Sequence, residues 1–209
     1  MGNYLTTEVW AQLFLSAHDR QRIIEFAVKY FGLKPKVFVR NMHITVYYAR
    51  RPMPGVTALS EPVAVVIPAA DTRFMVMAPG GENPKPHLDP GKKKVGIRIH
   101  KKSNALTKIM EYRNRLIKFE SVRVLGSRSP STNWKNAFGA RHFQPHMAVL
   151  FPGSGIDKDL RLMGEPFRQQ IGDLTFDRFE IDVVTKSAEN PLYPRNPIKP
   201  TIKEKISAP

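Results

Sequence analysis

The chain contains no cysteine, which removes disulfides, thiolate zinc sites and cysteine nucleophiles together and fits a reducing compartment. No apolar run approaches the roughly 18 residues that a membrane-spanning helix needs. One of the longest, Val63 to Ile67, is strand-sized and is followed by Pro68. The opening MGNYLTTEVW lacks the basic start and continuous apolar stretch of a signal peptide. Met1-Gly2 with Thr6 meets the short myristoylation pattern, but no basic cluster adjoins it. Neither G-x-x-x-x-G-K-[ST], G-x-G-x-x-G nor H-E-x-x-H occurs, which leaves nucleoside triphosphate hydrolysis, dinucleotide redox chemistry and zinc proteolysis without support. Acidic residues are scarce, 18 against 33 Lys plus Arg, for a formal charge of +15. That surplus favours an anionic partner such as nucleic acid, a nucleotide or a membrane surface. The working expectation is a cytoplasmic protein (host cytoplasm if the source is viral) with no membrane association and no obligatory protein partner.

What is present fits one folded domain: 209 residues, 42% apolar and 24% charged. Val9 to Leu15 reads as a buried strand. Ser16 and Asp19 form an S-x-x-D capping box, and the helix they open carries Ile23, Ile24, Ala27, Tyr30 and Phe31 on one stripe and stops at Gly32. Further strands are expected at Val37 to Val39, Met42 to Ala49, Pro62 to Pro68, Arg73 to Met77 and Val95 to Ile99. Ser103 caps a second amphipathic helix reaching Lys118, and strands follow at Ser121 to Leu125, His146 to Phe151 and Leu174 to Val184, with weak helical character from Asp157 to Ile171. The order strand, helix, strand thus occurs twice, and each closing strand starts at a histidine. The expected fold class is α+β, two pseudo-symmetric lobes with antiparallel sheets around a central cleft, at about residues 1–90 and 91–184. Residues 185–209 form a proline-rich extended tail, with Pro191, Pro194, Pro197 and Pro200 at the polyproline II period.

His43 and Thr45 stand two apart on a strand, so both leave one face, with Tyr47 beside them and Ile44, Val46 and Tyr48 turned into packing. His146 repeats the placement, backed by Met147, Val149 and Phe151, but its +2 neighbour is Ala148 instead of a hydroxyl. Imidazoles titrate near neutral pH, so two brought together can act as general base and general acid. Such a pair suits phosphodiester chemistry without a metal or cofactor. One ring takes a proton from the attacking oxygen, the other gives one to the leaving oxygen, and the +2 hydroxyl holds a nonbridging phosphate oxygen. The bland alternative for His43 is a strand-edge histidine bonded to nearby backbone.

The segments HITVYYARRPMP and FQPHMAVLF, with His43-Ile44-Thr45 and Pro145-His146, resemble the paired motifs of the 2H phosphoesterase superfamily, which includes LigT-like (2'-5' RNA ligase-like) phosphodiesterases. The resemblance covers about residues 8–184. It implies a two-lobed α+β fold, His43 and His146 as catalytic residues facing one cleft, and Thr45 as a phosphate ligand. The run Tyr48-Ala49-Arg50-Arg51-Pro52 looks most like the phage anti-CBASS enzymes, which hydrolyse cyclic oligonucleotide signals. The departure at Ala148 removes one phosphate-binding hydroxyl, and Thr132 or a water is a candidate to replace it.

Among weaker candidates, Trp134, Phe138 and Phe143 precede the second motif and either stack on a nucleobase or fill the core. Arg141, Arg98 and Lys135 are candidates to meet phosphates. His142 and His146 have metal-pair spacing, but Pro145 opposes the helix that spacing requires, so no metal is expected. His87 and His100 sit among prolines or lysines and are expected in solvent. The expected function is a metal-independent phosphodiesterase acting on small cyclic or short oligonucleotides. The rivals are a protein that binds and sequesters such ligands without turning them over, and a general RNA-binding protein.

Overall fold

The computed structural model describes residues 4–49, 53–77, 94–124, 143–150 and 164–188. Its strands are β1 (Tyr4–Leu15), β2 (His43–Ala49), β3 (Leu59–Ile67), β4 (Thr72–Met77), β5 (Lys94–Ile99), β6 (His146–Leu150) and β7 (Leu174–Ala188). Its helices are α1 (Ala17–Phe31), α2 (Ala105–Val124) and α3 (Gly164–Ile171). The fold is α+β, with every strand in one antiparallel sheet of order β3-β7-β1-β2-β6-β5-β4.

Two units of strand, helix, strand, β1-α1-β2 and β5-α2-β6, meet at the pairing of β2 with β6, where Ile44 faces Met147. The outermost strands β3 and β4 are joined by residues 68–71 alone. That connection reaches about 18 Å when fully extended, whereas seven strands laid flat span about 29 Å at about 4.8 Å per step. The sheet is therefore curled, bringing the start of β4 back towards the end of β3. A short 3-10 turn at Ala69–Asp71 makes the crossing, and Ala69 N–H donates to the Asp173 carboxylate at 2.9 Å.

One face of the sheet holds the core. Val9, Ala11, Leu13 and Leu15 of β1, Ile44 and Val46 of β2, Val65 and Ile67 of β3, Ile97 and Ile99 of β5, Met147 and Val149 of β6, and Phe179 and Ile181 of β7 are all buried. Two-residue alternation of apolar side chains explains most of this set. Helix α1 begins where the Ser16 hydroxyl accepts from Asp19 N–H at 3.1 Å, and it ends at Gly32, whose φ of 66° suits only the left-handed cap. It buries Ile23, Phe26 and Ala27. The Phe26 ring sits 4.5 Å from Tyr30, 5.4 Å from Phe167 of α3 and 6.2 Å from Phe74 of β4. Helix α2 packs against β2 and β3, burying Ala105, Ile109, Arg113 and Leu116 along one stripe. Among the described residues, no helix is long and apolar enough to cross a membrane.

Several sequence expectations change. The segment Val37 to Val39 is a 3-10 turn at Pro35–Val37 followed by one bridge from Phe38 to Leu150. Residues 121–124 continue α2 and form no strand. Residues 185–188, expected in the tail, extend β7, which pairs as far as Tyr4 with Ala188. The rest of the expected tail lies outside the described residues.

Candidate functional site

The face opposite the core carries both candidate histidines. Each is the first residue of its strand, and each is half-buried. From the Ile44 to Met147 pairing, Thr45 stands across from His146 and Ala148 across from His43. All four share the face that Ile44 and Met147 do not use. The two imidazoles are thus diagonal neighbours on adjacent central strands, with backbone attachment points about 7 Å apart.

The rings are held alike. His43 Nδ1 lies 2.8 Å from the Asn41 carbonyl oxygen, and His146 Nδ1 lies 2.9 Å from that of Gln144, in both cases two residues earlier in the chain. A carbonyl only accepts, so each Nδ1 carries a proton and donates it, and in the neutral ring Nε2 keeps its lone pair. The Gln12 side-chain amide of β1 lies 2.8 Å from His43 Nε2 and donates to it. A Gln side chain offers both a donor and an acceptor, so a turned amide would accept from the same nitrogen once it is protonated. The Phe14 ring, 5.5 Å from the His43 ring, fills the other side.

Tyr47 is not part of this face. The β1 pairing steps from Ala11 opposite Tyr47 to Gln12 opposite Thr45, so Val46 is an extra residue, a β-bulge. The bulge reverses the alternation. Tyr47 turns into the core at 0% exposure, and Tyr48 takes the histidine face. There Tyr48 packs against Trp10 in a tilted arrangement with ring centroids 3.9 Å apart, and both donate to the Glu8 carboxylate at 3.3 Å. On the core side the buried Arg113 guanidinium donates to the Val46 carbonyl at 2.8 Å and lies 4.4 Å from the Phe143 ring. Phe143 is half-buried and packs against the core with the Arg113 guanidinium over its ring. Trp134 and Arg141, along with His87, His142, Thr132, Lys135 and Phe138, lie outside the described residues.

The sheet also brings in residues that the motifs did not single out. Across β7, β1, β2, β6, β5 and β4, the registers align Glu180, Gln12, Thr45, His146, Arg98 and Arg73 in one row. At its basic end a cavity of about 260 Å³ is lined by Arg73, Arg98, His100, Lys101 and Lys102. His100, expected in solvent, is half-buried and lines this basic recess. The signal for Gln12 was available: it is the one amide in an otherwise apolar run from Val9 to Leu15. Trp10 and Tyr48 gave no such signal, because aromatics on a strand are ordinary packing residues.

In comparisons with known proteins, no family model matches this chain, and neither does any curated protein.

Proposed function

We propose that this chain is a metal-independent phosphodiesterase for small cyclic or short oligonucleotides, with His43 and His146 as its acid–base pair. The single observation that supports this reading most is the matched pair of imidazoles. They are diagonal on adjacent strands, and each is fixed by an Nδ1–H bond to the carbonyl two residues back. A phosphate between them would meet one ring as a base towards the attacking oxygen and the other, protonated, as an acid towards the leaving oxygen. Thr45, across from His146, would donate its hydroxyl to a nonbridging oxygen where charge accumulates. The Trp10 and Tyr48 rings beside them offer apolar faces for a base to stack upon. On this reading the two strand–helix–strand units are the two pseudo-symmetric lobes of a 2H phosphoesterase-like fold, related by an approximate dyad between β2 and β6.

The test is a panel of cyclic dinucleotides, cyclic trinucleotides, 2'-5' oligoadenylates and 2',3'-cyclic mononucleotides, followed by product chromatography. At least one class is hydrolysed, EDTA leaves the rate unchanged, and His43→Ala lowers it by about 10²–10⁴-fold while the melting temperature holds. Undiminished hydrolysis by His43→Ala would overturn the mechanism. A second reading, binding without turnover, is favoured by Ala148 standing across from His43 where a second hydroxyl would complete the phosphate cradle. Stoichiometric binding with the ligand recovered intact would establish that reading instead.

A further inference from the structure

The cavity beside His146 has a composition that the two-histidine site does not require. Arg98 stands directly across from His146 in the β5–β6 pairing, and Arg73 stands across from Arg98 in the β4–β5 pairing. The chain after β5 then brings His100, Lys101 and Lys102 to the same recess, so that four permanent cations and one imidazole line about 260 Å³. Among the described residues no carboxylate lines it, and none of the four cations is ion-paired to one of them. His100 Nδ1 accepts from the Lys102 backbone N–H at 3.2 Å. An acceptor nitrogen carries no proton, so neutral His100 presents Nε2–H as a donor, the reverse of His43 and His146. Like charges gathered with no counter-ion among the described residues repel one another, and a bound anion relieves that repulsion. The volume is just below the roughly 300 Å³ at which small-ligand sites begin, which fits one phosphate group with part of its sugar better than a whole nucleotide.

Distance narrows the ligand further. Arg98 is one strand spacing from His146 and Arg73 is two, about 5 and 10 Å. Neighbouring phosphates on one backbone are separated by a distance within that span. We propose that the Arg73–Arg98–Lys101 pocket holds a second phosphate of the substrate, the one next along the backbone from the phosphate at the two histidines. The substrate is then an oligonucleotide with at least two phosphates, linear or cyclic, and not a mononucleotide. This rests on the phosphodiesterase reading for what occupies the histidines, while the pocket's preference for a second phosphate can be measured without turnover.

The experiment uses the full chain carrying His43→Ala, so that ligands stay intact, and compares the dinucleotides pApA and ApA, with inorganic phosphate as a third ligand. The pocket is altered by Arg73→Ala with Lys101→Ala, two exposed positions whose loss leaves the core untouched. Arg98 is kept because it adjoins His146. In the unaltered pocket, pApA binds about ten- to a hundredfold more tightly than ApA. In the double variant that preference disappears, and the salt dependence of pApA binding falls by about one unit of slope per lost contact. Equal affinity for the two dinucleotides, a preference that survives the double variant, or binding of inorganic phosphate with no preference between the dinucleotides would each overturn the proposal. Preference for pApA with no hydrolysis by the native chain would sink the phosphodiesterase reading and keep the pocket. Hydrolysis without that preference would do the opposite.

Discussion

Replacing Ala148 by threonine tests whether the second half of the site lacks only a hydroxyl. Ala148 is half-buried on the histidine face, across from His43 on one side and from Gly96 of β5 on the other. Gly96 contributes no side chain on that side but is itself buried, and a β-branched residue suits a strand. The added atoms are expected to cost about 1 kcal/mol of stability. A hydroxyl donating to a phosphate oxygen makes a hydrogen bond to a charged group, about 1.5–3 kcal/mol. Formed in the transition state, that bond raises kcat/KM by about ten- to a hundredfold. Ala148→Val is the control, since valine matches threonine in shape and lacks only the donor. The assay is initial-rate hydrolysis of the best substrate in the panel, with melting temperatures alongside. Equal rates for the Thr and Val variants would refute the idea that a hydroxyl is what this position lacks.

Three other perturbations address what holds the site in place. Asp19 is buried and accepts from Thr175 N–H at 2.6 Å and from Arg22 Nε at 3.1 Å, so Asp19→Ala strips the acceptor from the joint between α1 and β7. Because Arg22 is partly exposed and stays solvated, the loss in chemical denaturation is about 2 kcal/mol, and Asp19→Asn, which keeps an acceptor, loses less. Arg113→Met leaves the Val46 carbonyl without its guanidinium donor and is expected to cost about 1–3 kcal/mol. A Met variant as stable as the native chain would mean that burying the guanidinium outweighs what its contacts return. On α3, the hydrogen bond from Arg168, then its charge, then Gln169 hold the Glu165 carboxyl below its ordinary value. A carboxylate lowered in the folded state stabilises fully above its unfolded value, and that contribution fades as pH falls through the folded one. The small melting-temperature difference between Glu165→Gln and the native chain should therefore vanish in acid, and salt should shrink it at neutral pH because the pair lies at the surface with Glu165 exposed.

Local chemistry was readable in the sequence where one short segment decides the outcome. Ser16 and Gly32 bound α1 because a hydroxyl cap and a left-handed glycine act within a single turn. His43 and Thr45 share a face because they are two apart on a strand. Tyr47 was misread because HITVYYA is apolar on both faces beyond Thr45, so two-residue counting has nothing with which to detect an extra residue. Only the pairing with Ala11 and Gln12 reveals it. Residues 121–124, SVRV, carry two β-branched valines that favour a strand locally, but they continue a helix whose buried stripe already runs from Ala105 to Leu116. The meeting of β2 with β6 is a contact between residues about a hundred positions apart, with no hairpin turn to announce it. The same holds for the basic recess, whose lining comes from β4, β5 and the residues after β5.

The net charge of +15 could not say where an anion would sit, but the aligned row across the sheet does. At its β7 end, Glu180 is paired with Arg178 at 2.8 Å, so that acidic group is largely answered within the fold. Its middle is Gln12, Thr45 and His146, uncharged while the imidazole is neutral, and its far end is Arg98 and Arg73. A ligand with two phosphates, one between the imidazoles, therefore gains by extending towards β4 and gains little by extending towards β7. The Val46 bulge is what allows the row to coexist with a sealed core. It keeps His43 and Thr45 in line with Gln12, and it turns Tyr47 under the sheet onto the face where α2 packs, with Arg113 of that helix bound to the bulged carbonyl. Regular pairing with Val46 retained would move either Thr45 and His43 or Tyr47 to the wrong face, because a one-residue slip inverts every side chain beyond it. Deleting Val46 instead removes the extra residue, so that Thr45 and Tyr47 alternate directly opposite Gln12 and Ala11 and keep their faces. Deletion variants that fold should therefore still hydrolyse substrate, and a folded but inactive one would show that alignment of these residues is not sufficient for the site.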